Sequence, residues 1–261
     1  MRALRAGGSV FAEEEAAEIL RHGLSDSERD EVVRRRTAGV PLEHLLGSVA
    51  LAGLDLRVDA GLFVPRARTG LLSARAVSAC RTRPGAVFVE LCCGVAPLAA
   101  AVERAGVADV LVATDVDPRC APAASANVPT ALVGTGDLFD GVPSHLRGRL
   151  DVVAAVPPYV PDDDLVLLPP EARDHEPRGA LLGGPDGLDV VRRMVGRAPE
   201  WLSSRGVLLV EVSRAQAPAA IRAGVDAGLV AERLDLRADR TAVVSWRAGG
   251  PDPWSPGPRR T

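Results

Sequence analysis

Residues 86–118 read AVFVELCCGVAPLAAAVERAGVADVLVATDVDP. Two short apolar runs rich in valine, 86–92 and 107–116, flank a segment with helical spacing around 95–105. This order predicts a strand, a turn, a helix and a second strand parallel to the first. Because parallel strands are usually buried on both faces, the unit predicts a sheet with helices packed on each side.

The same alternation continues towards the C-terminus. Two final apolar runs, 229–238 and 240–248, follow each other with no helix between them, so we expect an antiparallel pair. The predicted fold class is α/β, with a Rossmann-like, mostly parallel seven-stranded sheet and an antiparallel last strand. The other predicted strands are 130–134, 150–156 and 206–213, and the other predicted helices lie around 117–127, 186–204 and 215–227.

The chain ahead of this sheet has a different pattern. Residues 10–22 have helical spacing, and Ser25 is a predicted N-cap for a second helix that reaches about Arg36. The run 48–59 alternates apolar and polar residues around Gly53, which predicts a β-hairpin. We therefore expect four parts: a short N-terminal helical segment (1–48), a β-hairpin linker (49–65), the sheet domain (66–247) and a disordered tail (248–261).

The composition is that of one globular domain, or of one large domain with a small one. All 31 basic residues are arginine, which excludes lysine Schiff-base chemistry and a phosphate-loop lysine. The formal charge is −3 and no stretch is strongly basic, so we expect no nucleic-acid partner.

The spacing of the cysteines bears on metal binding, and the hydropathy of the sequence bears on the location of the protein in the cell. Cys80, Cys92, Cys93 and Cys120 show no CxxC spacing, so we expect reduced thiols and no metal site. No apolar stretch reaches the length of a membrane span, and the N-terminal residues turn acidic where a signal peptide would need its apolar core. These features predict a cytoplasmic protein with no membrane partner.

Acidic residues follow three predicted strands directly. Glu90, Asp115 and Asp137 come at or just after the first, second and third runs. Ligands of doubly wound sheets bind at the carboxyl ends of the strands. The order predicts a nucleoside ligand across the sheet, with Asp115 meeting ribose hydroxyls and Asp137 lying beside a purine. Leu138 or Phe139 would bracket that purine.

Two turns complete the candidate site. Gly94 follows the first strand, where it would let the backbone approach a ligand closely; the alternatives are an ordinary turn there and a helix-capping role for Glu90. The sequence VPPYVP, 156–161, follows the fourth strand. Consecutive prolines end the strand, and Tyr159 then forms a stiff aromatic lip beside the ligand or merely packs.

These motifs stand in the order found in the HemK/PrmC-type protein-(glutamine-N5) methyltransferases, which the chain resembles over about residues 34–247. The resemblance includes the loop EARDHEP…GGPDGLD and is closest to an actinobacterial branch of the family. It implies a class I S-adenosylmethionine-dependent methyltransferase fold, with 66–247 as the methyltransferase domain and S-adenosyl-L-methionine as cofactor. The cofactor-binding residues that it implies are Glu90, Cys92, Gly94, Asp115, Val116, Asp137 and Leu138.

The chain departs from the family in two motifs. The family's (D/E)LGTGSG reads ELCCGVA here, so an acid and one glycine remain. The family's (N/D)PPY reads VPPY, and the resemblance implies that Pro157, Pro158 and Tyr159 receive the substrate. In the family, the asparagine side chain and the first proline's carbonyl accept the two amide hydrogens of a glutamine. Val156 lacks the first acceptor, a kind of loss that commonly costs roughly 10²–10³ in rate.

The resemblance implies an N-methyltransferase whose substrate is a protein glutamine, in a translation factor or ribosomal protein. Two alternatives follow from Val156: methylation of a small-molecule or non-amide acceptor, and a catalytically impaired protein that only binds the cofactor. A DNA adenine methyltransferase fits poorly, since a basic face is missing. The candidates for a replacement hydrogen-bond acceptor are Asp162, Asp163, Asp164, Glu171, Asp174, His175 and Glu176.

Overall fold

The computed structural model describes residues 1–235 and 240–248. The α-helices are α1 (Arg2–Ala6), α2 (Ala12–Arg21), α3 (Asp26–Thr37), α4 (Leu42–Leu46), α5 (Gly70–Arg81), α6 (Pro97–Ala105), α7 (Ala121–Asn127), α8 (Pro170–His175), α9 (Arg178–Leu181), α10 (Asp189–Trp201) and α11 (Ala217–Asp226). The strands are β1 (Ser48–Leu51), β2 (Leu54–Arg57), β3 (Val87–Leu91), β4 (Val110–Asp115), β5 (Leu132–Thr135), β6 (Leu150–Ala155), β7 (Leu202–Ser213), β8 (Leu229–Asp235) and β9 (Thr241–Ala248).

The main sheet has seven strands in the order β5-β4-β3-β6-β7-β9-β8. The pairs from β5 to β7 are parallel, and β9 is antiparallel to both of its neighbours. This confirms the predicted α/β fold with an antiparallel last strand. The chain order reverses between β3 and β6, which is the place where such sheets form a crevice for ligands.

Both faces of the sheet are covered, as the apolar character of its strands predicts. On β3, Phe88 and Val89 point to opposite faces, and both are fully buried. Phe88 belongs to one apolar cluster with Leu72 of α5 and Leu98 of α6. Val89 belongs to a second cluster with residues of α10 and α11. The candidate site lies between these two helical layers, at the carboxyl ends of the parallel strands.

The predicted capping and hairpin signals are present in the N-terminal part. Ser25 caps α3 in a capping box, in which its backbone N–H donates to Glu28 Oε2 at 2.8 Å. The β1–β2 hairpin turns through Ala52 and Gly53, both with positive φ, the arrangement of a type I′ turn. The Asn127 side chain bonds the backbone of Arg57, with Oδ1 accepting its N–H at 2.8 Å. The hairpin is thereby fastened to the sheet domain.

Several elements differ from the sequence predictions. The sequence patterns do not predict helices α1, α4, α5, α8 and α9. All of these except α5 have four to six residues, too few for a periodic pattern. The helix predicted for 186–204 is shorter, because α10 ends at Trp201 and β7 begins at Leu202. Pro199 lies in the last turn of α10, where it supplies no backbone N–H to the helix, so this last turn is held by fewer hydrogen bonds.

Two further predictions concern the C-terminal tail and membrane-spanning segments. The predicted disordered tail lies outside the described residues except for Ala248, which is the last residue of β9. None of the helices in the described ranges combines the length and the apolar character that crossing a membrane requires.

Candidate active site

A cavity of about 340 Å³ opens at the carboxyl ends of β3, β4 and β5. Its size lies within the usual range for small-molecule sites. The structure brings all seven predicted cofactor-binding residues into its wall, together with Val156 and Pro158 of the substrate motif. Phe139 does not line it; this side chain is fully buried and stacks on Trp201 with ring centroids 5.4 Å apart.

Glu90 lies at the base of the cavity and is 2% exposed. Its Oε2 accepts the backbone N–H of Ala99 at 2.6 Å, in the first turn of α6. Burial raises the pKa of the Glu90 carboxyl to about 8, and the backbone N–H groups of Ala99 and Leu98 oppose that rise. The helix-capping role considered for Glu90 is therefore present, in a residue that also faces the cavity.

Asp115 ends β4 and organises the turn after β3. Its Oδ2 accepts the N–H of Gly94 at 2.8 Å, and its Oδ1 accepts the N–H of Asp117 at 2.9 Å. Burial raises the pKa of Asp115, while these N–H groups lower it. Gly94 has φ +52°, and a Cβ added there would meet no protein atom within 4 Å. The side-chain-free face of this turn therefore opens into the cavity.

Three residues other than glycine have a left-handed backbone beside the cavity. They are Cys92 with φ 51°, Ala96 with φ 60° and Leu138 with φ 53°. Cys92 and Ala96 stand where the family motif has glycine. The turn therefore keeps a glycine-like conformation at both positions despite the substitutions, at a cost of roughly 1–2 kcal/mol per residue. Such strain concentrates at functional sites in proteins.

Burial of the cysteine side chains favours their protonated thiol form. Burial raises the pKa of all four cysteines, to about 12 for Cys80 and Cys120. The four thiols are free. Within residues 1–235 and 240–248, no group of three metal-ligating side chains is placed to hold a metal ion.

Arg193 of α10 lines the cavity and was not identified from the sequence. Its guanidinium forms two hydrogen bonds with Asp137, Nη1 to Oδ2 at 2.5 Å and Nη2 to Oδ1 at 3.1 Å. The two residues lie 56 positions apart. The sequence carries no local signal for this contact, because it depends on how α10 is seated against the turn after β5.

A second cavity of about 330 Å³ adjoins the first. Pro157 and Tyr159 line it, and Val156 belongs to the walls of both cavities. Phe63 and Ala180 are likewise shared. The residue that replaces the family asparagine therefore stands where the two cavities meet.

The Tyr159 hydroxyl is held by an arginine and a buried carboxylate. Arg68 Nη2 donates to it at 2.9 Å, and the hydroxyl donates to Glu211 Oε1 at 3.3 Å. Burial, followed by the negative charge of Glu211, raises the pKa of Tyr159 to about 12. Gln216 Nε2 donates to the Tyr159 carbonyl at 2.8 Å, which fixes the loop after β6. Glu211 and Gln216 thus orient the tyrosine ring.

Of the candidate replacement acceptors, Glu171 is the one that lines a cavity. It shares the second cavity with Val156, and Arg36 of α3 donates to its Oε2 at 3.1 Å. Glu176 is buried and bonded to Arg66 at 2.6 Å. The remaining candidates line neither cavity in the described structure: Asp162, Asp163, Asp164, Asp174 and His175.

No protein-family model matches the chain. The release factor glutamine methyltransferase of Mycolicibacterium smegmatis is 37% identical over 189 residues, which cover 70% of this chain and 65% of that protein. The protein of the same name from Gloeobacter violaceus is 34% identical, covering 72% and 67%. That from Deinococcus radiodurans is 33% identical over 219 residues, covering 84% and 78%. The chain thus spans about two thirds of the length of the first two relatives.

Solved structures share the fold at low identity. A ribosomal protein L11 methylase from Lactobacillus delbrueckii subsp. bulgaricus has a TM-score of 0.53 at 15% identity, covering 71% of this chain and 81% of that one. A methyltransferase from Pyrococcus furiosus has 0.53 at 18%, covering 85% and 99%. The Thermus thermophilus 16S rRNA N2 G1207 methyltransferase, in complex with AdoMet and guanosine, has 0.54 at 14%, covering 77% and 49%. The fold is that of the class I methyltransferases.

Proposed function

Since the chain belongs to the release factor glutamine methyltransferase family, we propose that it transfers a methyl group from S-adenosylmethionine to a glutamine side-chain amide of a protein. The observation that supports this most directly is the pair of adjoining cavities. One gathers the predicted cofactor residues, the other carries Pro157 and Tyr159, and Val156 stands between them. A donor site and an acceptor site in contact are what direct transfer of a group requires.

The residues of the first cavity fit a nucleoside cofactor. Asp115 would supply a half-buried carboxylate for ribose hydroxyls, Gly94 leaves open space beside it, and Asp137 with Leu138 would hold the purine. Bound S-adenosylmethionine would supply an electrophilic methyl group on its sulfonium sulfur. The same fold holds AdoMet in the Thermus thermophilus neighbour.

The second cavity would bind and orient the acceptor. Transfer would break the bond from sulfur to methyl carbon, release a neutral thioether and form a bond from nitrogen to carbon, and the proton lost from the amide nitrogen would pass to the Glu171 carboxylate or to solvent. An amide nitrogen is a weak nucleophile, so the residues must hold its hydrogens and aim it at the methyl group. The Pro157 carbonyl and the Glu171 carboxylate are the acceptors that this chain would offer, with Val156 excluding water.

We further propose that the protein substrate is a peptide-chain release factor, because the relatives are named release factor glutamine methyltransferases. The test incubates the full chain with a purified release factor and S-adenosylmethionine that carries a deuterated methyl group. Mass spectrometry of the digested factor should find one deuterated methyl on a glutamine. Calorimetric titration with S-adenosylhomocysteine, run in parallel, should give micromolar binding. Absence of any binding at millimolar ligand would contradict the proposal.

A second function, methylation of an acceptor other than an amide, is favoured by Val156. An amine or an anionic nucleophile does not need two hydrogen-bond acceptors to become reactive, so the missing asparagine would matter less. Transfer to small amines or carboxylates that exceeds transfer to glutamine peptides would support this second function over the first.

A further inference from the structure

The ion pair between Asp137 and Arg193 lies in the wall of the first cavity. Both side chains are about half exposed, 46% for Asp137 and 53% for Arg193, so a ligand in the cavity can reach them. The guanidinium binds both carboxylate oxygens, in the bidentate geometry that fixes the plane of a carboxylate. Each oxygen retains a lone pair for another donor.

A neighbouring pair provides an internal comparison. One helical turn further along α10, Arg197 Nη2 donates to Asp140 Oδ1 at 2.7 Å. This pair also ties α10 to the 3-10 turn after β5, but neither residue lines the cavity. A contact that only fastens the helix to the turn would therefore be shared by both pairs, while a role towards a ligand would belong to Arg193 alone.

We propose that Arg193 is a positioning residue that sets the purine preference of the cofactor site by holding the Asp137 carboxylate in place. The inference rests on the proposed function, since it takes S-adenosylmethionine or its demethylated product as the ligand. An adenine amino group donates hydrogen bonds, and a carboxylate with a fixed plane and free lone pairs accepts one of them. A 6-oxo purine presents an oxygen there, which the same carboxylate repels.

The geometry also sets the sign of the effect. Arg193 occupies one lone pair on each oxygen and leaves the others free, so the pair orients the carboxylate without blocking it. Loss of Arg193 should therefore weaken binding of the adenine ligand. An arginine that competed with the ligand for Asp137 would give the opposite sign.

The test is calorimetric titration of the full chain with S-adenosylhomocysteine and with S-inosylhomocysteine, in which an oxygen replaces the adenine amino group. The variants are Arg193→Gln, Arg193→Lys, Asp137→Asn and the double variant, with Arg197→Gln as matched control. If the Asp137 carboxylate is no longer held in place, its hydrogen bond with the adenine amino group is lost. Loss of a hydrogen bond to a charged group predicts about a tenfold loss of adenosyl affinity in Arg193→Gln. Binding of the inosyl ligand should change less than twofold, roughly the limit of such comparisons. The preference for adenine therefore falls.

Further outcomes separate positioning from folding. Arg193→Lys, which keeps the charge but not the two parallel hydrogen bonds, should recover only part of the preference. The double variant should be no weaker than Asp137→Asn, because both changes remove one contact. Arg197→Gln should keep the wild-type preference. An unchanged or improved adenine preference in Arg193→Gln, with the wild type binding S-adenosylhomocysteine, would overturn this inference alone. A wild type that binds neither ligand would overturn it together with the proposed function.

Discussion

Replacing Val156 by asparagine places a carboxamide where the two cavities meet. Its oxygen would accept one of the two hydrogens of a glutamine amide, while the Pro157 carbonyl remains for the other. A preorganised hydrogen-bonding group of this kind commonly changes the rate by roughly 10²–10³. We therefore expect Val156→Asn to raise the rate of glutamine methylation by about 10²-fold.

The same substitution has a cost in stability. Val156 is partly buried and packs against the apolar cluster that includes Phe88 and Leu98. An amide there loses apolar contact and gains polar atoms without an assured partner, for about 1–2 kcal/mol. In a chain of this size that lowers the melting temperature by about 2–4 °C per kcal/mol. The kinetic assay is therefore run well below that temperature.

The assay is single-turnover transfer from S-adenosylmethionine to a glutamine-containing release-factor fragment, followed by mass spectrometry. Val156→Ala is the control, since it removes the same two methyl groups as the asparagine variant and adds no acceptor. Val156→Asp, which supplies carboxylate oxygens, should gain activity as the asparagine does. The reasoning fails if the alanine variant gains as much as the asparagine variant. It fails also if Val156→Asn changes the rate by less than about threefold, against the roughly 10²-fold expected.

Three further changes test the site. Gly94→Ala should weaken S-adenosylhomocysteine binding at least about tenfold. Gly106→Ala is the control, because Gly106 has a similar φ of +61° but lies outside the cavity. The two variants should lose similar stability, and Gly106→Ala should leave binding unchanged. The pKa of Glu90 is raised to about 8, so the folded state holds this proton more tightly than the unfolded state does. The free energy of unfolding should therefore fall as the pH rises from about 4.5 to about 8. Urea titrations across that range should find a smaller fall in Glu90→Gln than in the wild type. Glu171→Gln should lower the transfer rate about tenfold without changing the affinity for S-adenosylhomocysteine. Asp174→Asn, on the same helix, should leave the transfer rate unchanged. Adding Val156→Asn to Glu171→Gln should restore the transfer rate.

The amino-acid sequence by itself determined the layered α/β fold and the edge where the site lies. Valine-rich runs alternating with helical spacing are local patterns, and a parallel sheet buried on both faces is the arrangement that satisfies them. Since parallel strands end at one edge, Glu90, Asp115 and Asp137 had to meet there whatever the details of packing. Short helices such as α1 and α4 escaped prediction because five residues carry too little periodicity.

Tertiary structure alone decided which side chains touch. Arg193 reaches Asp137 across 56 positions, and Arg36 reaches Glu171 across 135. Such pairs depend on how helices are rotated and seated on the sheet, which local patterns leave open. The departures from the family motif also depend on tertiary contacts. The residues CC and VA in the glycine motif suggest an altered turn. Cys92 nevertheless keeps the left-handed backbone of a glycine, because the Asp115 carboxylate anchors the turn through Gly94. Likewise, the position of Val156 between two cavities follows from the packing of the loops around it, since the residues that share both walls with it, Phe63 and Ala180, come from distant parts of the chain.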